Sequence, residues 1–239
     1  MRLLLGVALM FTLVTGPAAP PTPVIVELFT SEGCESCPPA DVLLQQLASS
    51  QPVAGAQIIP LGLHVDYWDQ LGWKDRFSSP VFTGRQRVYG ARFNLDSVYT
   101  PQLVVDGRSE LVGSDAVGAR KAITRALSGP HGVLRIERRG NEVVVVAADL
   151  PQHGRADVYV VVTEDRLTTR VTSGENHGRT LTHTAVVRSL SVAGEAAGRT
   201  AEAKATLAID PAWRSDAIHI VAFVQERRGG AILASGSLP

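Results

Sequence analysis

Cys34 and Cys37 are the only two cysteines in a chain of 239 residues, and they stand three apart in the run Cys34-Glu35-Ser36-Cys37. A bond between them closes a very short loop, and crosslink stabilisation grows with loop length, so chemistry explains the pair better than stapling does. Thiol-disulfide exchange needs one thiolate to attack and a second thiol to resolve the mixed disulfide. Directly after the pair, Pro38 and Pro39 suit a first helical turn, and Ala40, Leu43, Leu44 and Leu47 fall on one helical face. Cys34 is thus expected at a helix N-terminus, where free amides and the helix dipole stabilise its thiolate, with Cys37 as the resolving thiol. Glu35, with Glu32 close by, puts negative charge beside that thiol. Like charge disfavours the thiolate, which argues against a strong oxidant and points toward reduction or isomerisation.

The elements that must hold this pair are legible on either side of it. Residues 24–30 (VIVELFT) are apolar and β-branched and read as a buried strand, as do residues 58–65 (IIPLGLHV). With the helix between them they form a βαβ unit, the helix supplying the crossover that parallel strands require. Pro80 starts a second helix, QLVV at 102–105 and residues 109–112 make a hairpin about Asp106-Gly107, and Ser114 and Asp115 cap a closing helix to about Leu127. Beyond Ser128-Gly129-Pro130 the pattern becomes strand-like. Seven short strands are predicted, over 133–138, 142–148, 157–163, 182–190, 203–208, 218–225 and 231–234, which suggests a mostly antiparallel β-sandwich domain over residues 131–239.

Other chemistry-bearing residues gather near the end of the second strand. His64, Asp66 and Trp68 follow a buried strand at the sheet edge where ligands collect in open α/β sheets, and they are candidates for a substrate groove. The bland alternative is a loop packed by its own aromatics, with His64 hydrogen-bonded to a carboxylate. Cys34, Cys37 and His64 together also resemble part of a thiolate-imidazole site for copper or zinc, although two sulfurs and one histidine are an incomplete structural zinc set. Arg85, Arg87 and Arg92 read as a solvated or helix-capping face. Asn176, His177, Gly178, Arg179 and His183 read as a turn and strand start that hydrogen-bonds between domains, or alternatively as an anion contact. No G-x-S-x-G elbow or G-x-x-x-x-G-K loop points to a hydrolase or a nucleotide enzyme.

Lys plus Arg and Asp plus Glu number 23 each, so no charge excess calls for nucleic acid or an anionic membrane. Residues 1–19 pair a basic start at Arg2 with an apolar run and small residues Gly16 and Ala18, the pattern of a secretory signal peptide. The run, at about 12 residues, falls short of the roughly 20 that span a bilayer. A periplasmic or secreted protein without a stable membrane span is expected.

Strand, C-x-x-C, helix and strand, followed by Thr100-Pro101 before a hairpin and a final helix, resemble the thioredoxin superfamily over roughly residues 24–127, which places a thioredoxin-like domain at 20–128. More narrowly, SEGCESCPPAD, HVDYWDQLGWKDRF, VYTPQLVVDG and GENHGRTLTHTAVVR resemble a bacterial thioredoxin-like family catalogued as domain of unknown function 1223. The superfamily resemblance implies that Pro101 is a cis-proline facing the cysteine pair and that it shapes the substrate groove with Thr100. It also implies a proton-handling role for Glu27, whose other reading is a partly exposed strand carboxylate. No cofactor beyond a redox-active disulfide is implied, and the partners would be a protein thiol or disulfide substrate and a second redox protein.

Overall fold

Alternation along the first strand sets the layering. β1 (Thr22–Thr30) sends Val24, Val26 and Leu28 to one face and Ile25 and Phe29 to the other, all fully buried, as a strand covered on both sides requires. β2 (Ala56–His64) pairs with it in parallel from Thr22 opposite Ala56 to Thr30 opposite His64, and α1 (Pro38–Ser50) makes the crossover. The computed structural model describes residues 20–239; the signal peptide expected over 1–19 lies outside them.

α2 (Pro80–Arg92) opens on a Ser79 cap, whose hydroxyl accepts from the Val81 amide, with Pro80 in the first turn. β3 (Gln102–Val105) runs antiparallel to β1, and β4 (Ser109–Val112) runs antiparallel to β3. Asp106, Gly107 and Arg108 join them; Asp106 and Gly107 take positive φ of 54° and 63°, and the Arg108 amide closes the turn on the Val105 carbonyl at 2.9 Å. α3 (Ala116–Leu127) follows, its N-terminus capped by Asp115, which accepts from the Gly118 amide at 2.9 Å. Helices α1 and α3 bury Leu44, Leu47, Ala119 and Ile123 against the Val24, Val26 and Leu28 face, and α2 covers the opposite face through Phe82 and Tyr89.

The rest of the chain is strands: β5 (Val133–Arg139), β6 (Glu142–Ala148), β7 (Ala156–Glu164), β8 (Leu167–Arg170), β9 (Thr180–His183), β10 (Val186–Glu195), β11 (Ala201–Thr206), β12 (Ile218–Glu226) and β13 (Ile232–Leu238). Among the described residues the protein is therefore a mixed α/β, strand-rich fold of three helices and 13 strands. Eight strands form one sheet in the order β13-β12-β7-β10-β2-β1-β3-β4; β11-β6-β5 form a second sheet and β8-β9 a third. The β11-β6-β5 sheet lays Val143, Val145, Ala147, Ala201 and Ala203 onto Val158, Val160, Ile220 and Ala222 of the large sheet. No helix among the described residues is long and apolar enough to cross a membrane.

Three sequence expectations change. The large sheet runs through the boundary placed at 128–131, because β10 joins β2 in parallel at Val186 opposite Gly62. The Gly62 amide donates to the Ala185 carbonyl at 2.8 Å, and a Cβ at Gly62 would lie 3.0 Å from the Thr184 carbonyl, so the seam leaves little room for a side chain there. The strand predicted over 182–190 is divided, since Ala185 takes a left-handed φ of 50° between β9 and β10. The short polar strand β8 was not anticipated, and nine strands replace the predicted seven.

Candidate functional site around the cysteine pair

Cys34 and Cys37 are joined as a disulfide, and both residues are 0% exposed. α1 begins at Pro38 with Cys37 at its N-cap, while Cys34 sits in the preceding turn and accepts the Cys37 amide at 3.2 Å. The helix end therefore bears on Cys37 more directly than on Cys34, which corrects the expected placement. The Cys34 sulfur has the Ser36 hydroxyl 3.4 Å away.

Two of the groove candidates meet here. Trp68 donates its indole N–H to the Thr100 hydroxyl at 2.8 Å, and its Cβ lies 3.2 Å from where a side chain on Gly33 would begin. One indole thus spans from the cysteine loop to the Thr100-Pro101 bond, which is cis. Pro101 borders the first turn of α1, because a Cβ at Gly113 would lie 2.9 Å from Pro101 and 3.1 Å from Ala40.

His64 and Asp66 stand differently. His64 is 1% exposed and its Nδ1 meets the Asp75 carboxylate at 2.6 Å, so in this structure it sits in a buried pair and not on an open groove. Asp66 accepts from the Thr83 hydroxyl at 2.5 Å and ties its loop to α2 instead of facing the cysteines. Among the described residues no group of three or more His, Cys, Asp or Glu side chains is arranged to hold a metal ion.

Beside the disulfide lies a buried polar cluster larger than sequence reasoning found. Glu32, two residues before Cys34, accepts from the Trp73 indole N–H at 2.8 Å and has His183 at 3.4 Å. His183 also faces Asp41 in the first turn of α1 at 3.8 Å, and its ring packs edge-on against that of His64 with centroids 4.7 Å apart. Neither nitrogen of His183 completes a hydrogen bond. Burial, opposed by His183, pushes the Asp41 carboxyl up from 3.8 to about 6. Asp75 is driven up by burial too, but the His64 charge and its hydrogen bonds outweigh this and leave it below the ordinary carboxylate value.

The segment 171–179 between β8 and β9 is tied to the backbone of the cysteine loop. Asn176, fully buried, donates from one nitrogen to the carbonyls of Glu32 and Cys34, each at 2.9 Å. The Arg179 guanidinium donates to its amide oxygen at 2.8 Å and fixes its orientation. Glu175 accepts the Glu35 amide at 3.0 Å, and the Ser173 hydroxyl donates to the Gly72 carbonyl at 2.5 Å. The turn and inter-segment hydrogen bonding read from Asn176 and its neighbours pointed to this region; the target of those bonds carried no sequence signal.

Glu27 points away from α1, into the α2 face. There it forms a two-pronged ion pair with Arg85, whose Nη2 lies 3.0 Å from one carboxylate oxygen, and it accepts from the Tyr89 hydroxyl. Its partners include no cysteine, so the arrangement supplies an ion pair where a proton carrier was expected. Arg85 is likewise not solvated: it lies against Tyr89, Tyr159 and Phe223 and donates to Gln225 at 2.9 Å. An arginine in a helix with Gly84 and Arg87 beside it reads as surface, because its acid partner is 58 residues away.

With this geometry in place, the chain is found to match the profile of the family described as "Protein of unknown function (DUF1223)" over residues 25–225, and it belongs to that family. It is similar to a crystal structure of a structural-genomics target protein from Agrobacterium tumefaciens, at 27% identity and a TM-score of 0.72, covering 92% of this chain and 96% of that one. It also shares its fold with HBP35 of Porphyromonas gingivalis, at 13% identity and a TM-score of 0.62, covering 93% of this chain and 76% of that one. No curated protein matches the sequence.

Proposed function

We propose that this protein is an exported thiol-disulfide oxidoreductase, acting in the periplasm or outside the cell, with a thioredoxin-like N-terminal part and a β-sandwich-like C-terminal part. The observation that carries the reading is the Cys34–Cys37 disulfide at the start of α1, where Cys37 stands at the N-cap position and Pro101 borders the first turn. The strand order β2-β1-β3-β4, with α1 and α3 on one face and α2 on the other, supports the thioredoxin-like part. The sheet-on-sheet packing of β11-β6-β5 supports the sandwich.

In the reduced protein the Cys34 thiolate attacks a substrate disulfide, forming a mixed disulfide and expelling one substrate thiolate. Cys37, as thiolate, then attacks the Cys34 sulfur, releases the second substrate thiolate and restores the protein disulfide. Two electrons pass to the substrate, and a partner dithiol returns them. The carboxylates of Glu32, Asp41 and Glu175 around the loop oppose a stable Cys34 thiolate, which favours reduction or isomerisation over strong oxidation.

Insulin reduction by wild type and by Cys34→Ser tests the reading. Turnover by wild type that the substitution abolishes is expected; no turnover above background in wild type overturns it. A second reading, a quiescent structural disulfide, is favoured by the full burial of both cysteines. It predicts that wild type matches Cys34→Ser in that assay.

A further inference from the structure

Exchange requires an incoming sulfur to reach Cys34, and the structure gives it no path, because Cys34 is 0% exposed. One segment tied to the cysteine loop is built to open. Within 172–179 only Asn176 is buried, and every other residue of that run is exposed. The run buries no apolar side chain, and it is held down by the two Asn176 bonds, the Glu175 bond to the Glu35 amide and the Ser173 bond to Gly72. A segment held by a few hydrogen bonds and no apolar burial opens locally at far lower cost than the core. Glu175 has a second effect, since it occupies the amide next to Cys34 and adds negative charge beside a nascent thiolate.

We propose that residues 172–179 are an autoinhibitory strap that shields the Cys34–Cys37 disulfide and must lift before any thiol can react with it. Asn176 is its latch and Glu175 its electrostatic brake. The inference deepens the redox reading above and rests on it. The strap takes hydrogen bonds that an extended polypeptide would otherwise make, to the Glu32 and Cys34 carbonyls and from the Glu35 amide. A protein segment that supplies the same donors and acceptor can displace it, and a small thiol cannot compensate for its loss.

The test is the rate at which dithiothreitol reduces the disulfide in the full mature chain, followed by quench and mass shift. One dithiothreitol thiolate bonds to the Cys34 sulfur and expels the Cys37 thiolate. The second displaces Cys34, leaving cyclic oxidised dithiothreitol and two protein thiols that take up the two protons released. Asn176→Ala is expected to react about tenfold faster than wild type, and Glu175→Ala about threefold faster, with urea midpoints showing that both remain folded. Glu175 is exposed, so its variant carries the test if Asn176→Ala fails to fold. Reduction of the folded variants within twofold of wild type overturns the strap. The dithiothreitol rate reports on the strap and insulin turnover on the redox reading, so each can fail without the other: faster reduction of Asn176→Ala without insulin turnover keeps the strap and removes the enzyme.

Discussion

Asn176 follows Cys34 by 142 residues, yet its side-chain amide donates to the Cys34 carbonyl at 2.9 Å. The cysteine loop, read alone, looks self-sufficient: strand, turn, pair, helix. In the folded chain its backbone is bonded by the turn between β8 and β9, and its acidic residues find their histidine, His183, at the end of β9. The same C-terminal half extends the sheet at Gly62, so site and sheet are both completed by the second half of the chain.

The Glu27–Arg85 pair offers the sharpest stability test. Arg85 is nearly enclosed, and Glu27 holds its guanidinium charged ever more firmly despite the cost of burial. Replacing Arg85 by Met leaves a fully buried carboxylate whose remaining direct partner is the Tyr89 hydroxyl. A loss of about 3–5 kcal/mol is expected in urea unfolding, and the double variant Glu27→Gln with Arg85→Met should lose clearly less. Additive losses would mean that the two side chains do not act as a pair.

Asp41 and Asp75 give opposite pH signatures within one cluster. Burial raises Asp41 from 3.8 to about 6, so the folded chain binds its proton more tightly than the unfolded chain does. Its contribution to stability is complete below about pH 3.8 and is lost as the pH rises through about 6. Asp75, lowered by His64 against the effect of burial, contributes above its unfolded value and loses that contribution as the pH falls through its folded one. Asp41→Asn should therefore stabilise the protein at pH 7, by up to about 3 kcal/mol, and flatten its stability between pH 4 and 6. An unchanged slope of the urea midpoint against pH would sink this assignment.

How much of this the sequence carried follows from the range of the interactions. Strand β4, the Asp106-Gly107 turn and the Asp115 cap depend on neighbours in the chain, and the expected bounds match those observed. The split at Ala185 does not: Thr182 to Leu190 is a continuous strand pattern, and the break is held by distant partners, the Asp165 carboxylate that accepts the Ala185 amide at 2.6 Å and the Gly62 amide more than a hundred residues earlier that donates to its carbonyl. Glu27 failed in the same way, since a strand carboxylate near a cysteine pair and one aimed at Arg85 look alike until the face of β1 is known. His64 was half legible. Its carboxylate partner was foreseen as the alternative to a groove, but not the burial that removes it from the groove.

Gly107 reports on how the two halves of the chain fit. Its φ of 63° already disfavours any side chain, and a Cβ there would stand 2.2 Å from the Gly230 carbonyl in the turn between β12 and β13. Gln225 donates to that same carbonyl at 2.9 Å and to Tyr89 at 2.8 Å, so a shift at Gly230 is transmitted to the Arg85 cluster. Gly107→Ala is expected to cost about 2 kcal/mol or more in urea unfolding, above the cost of the turn alone. A loss below about 1 kcal/mol would mean that the turn backs away freely.

Removing the resolving thiol gives the most direct view of the partners. With Cys37→Ala, Cys34 has no internal disulfide and no neighbour to release a captured sulfur, so mixed disulfides formed by its thiolate should persist. Non-reducing gels of cells that express the variants are expected to show adducts with Cys37→Ala that disappear with dithiothreitol and are absent from Cys34→Ala. Adding Asn176→Ala should increase their yield, because the strap still covers Cys34 when Cys37 is missing. If Cys37→Ala forms no adducts even with Asn176→Ala present, Cys34 is not an attacking thiol, and the disulfide at the start of α1 is structural.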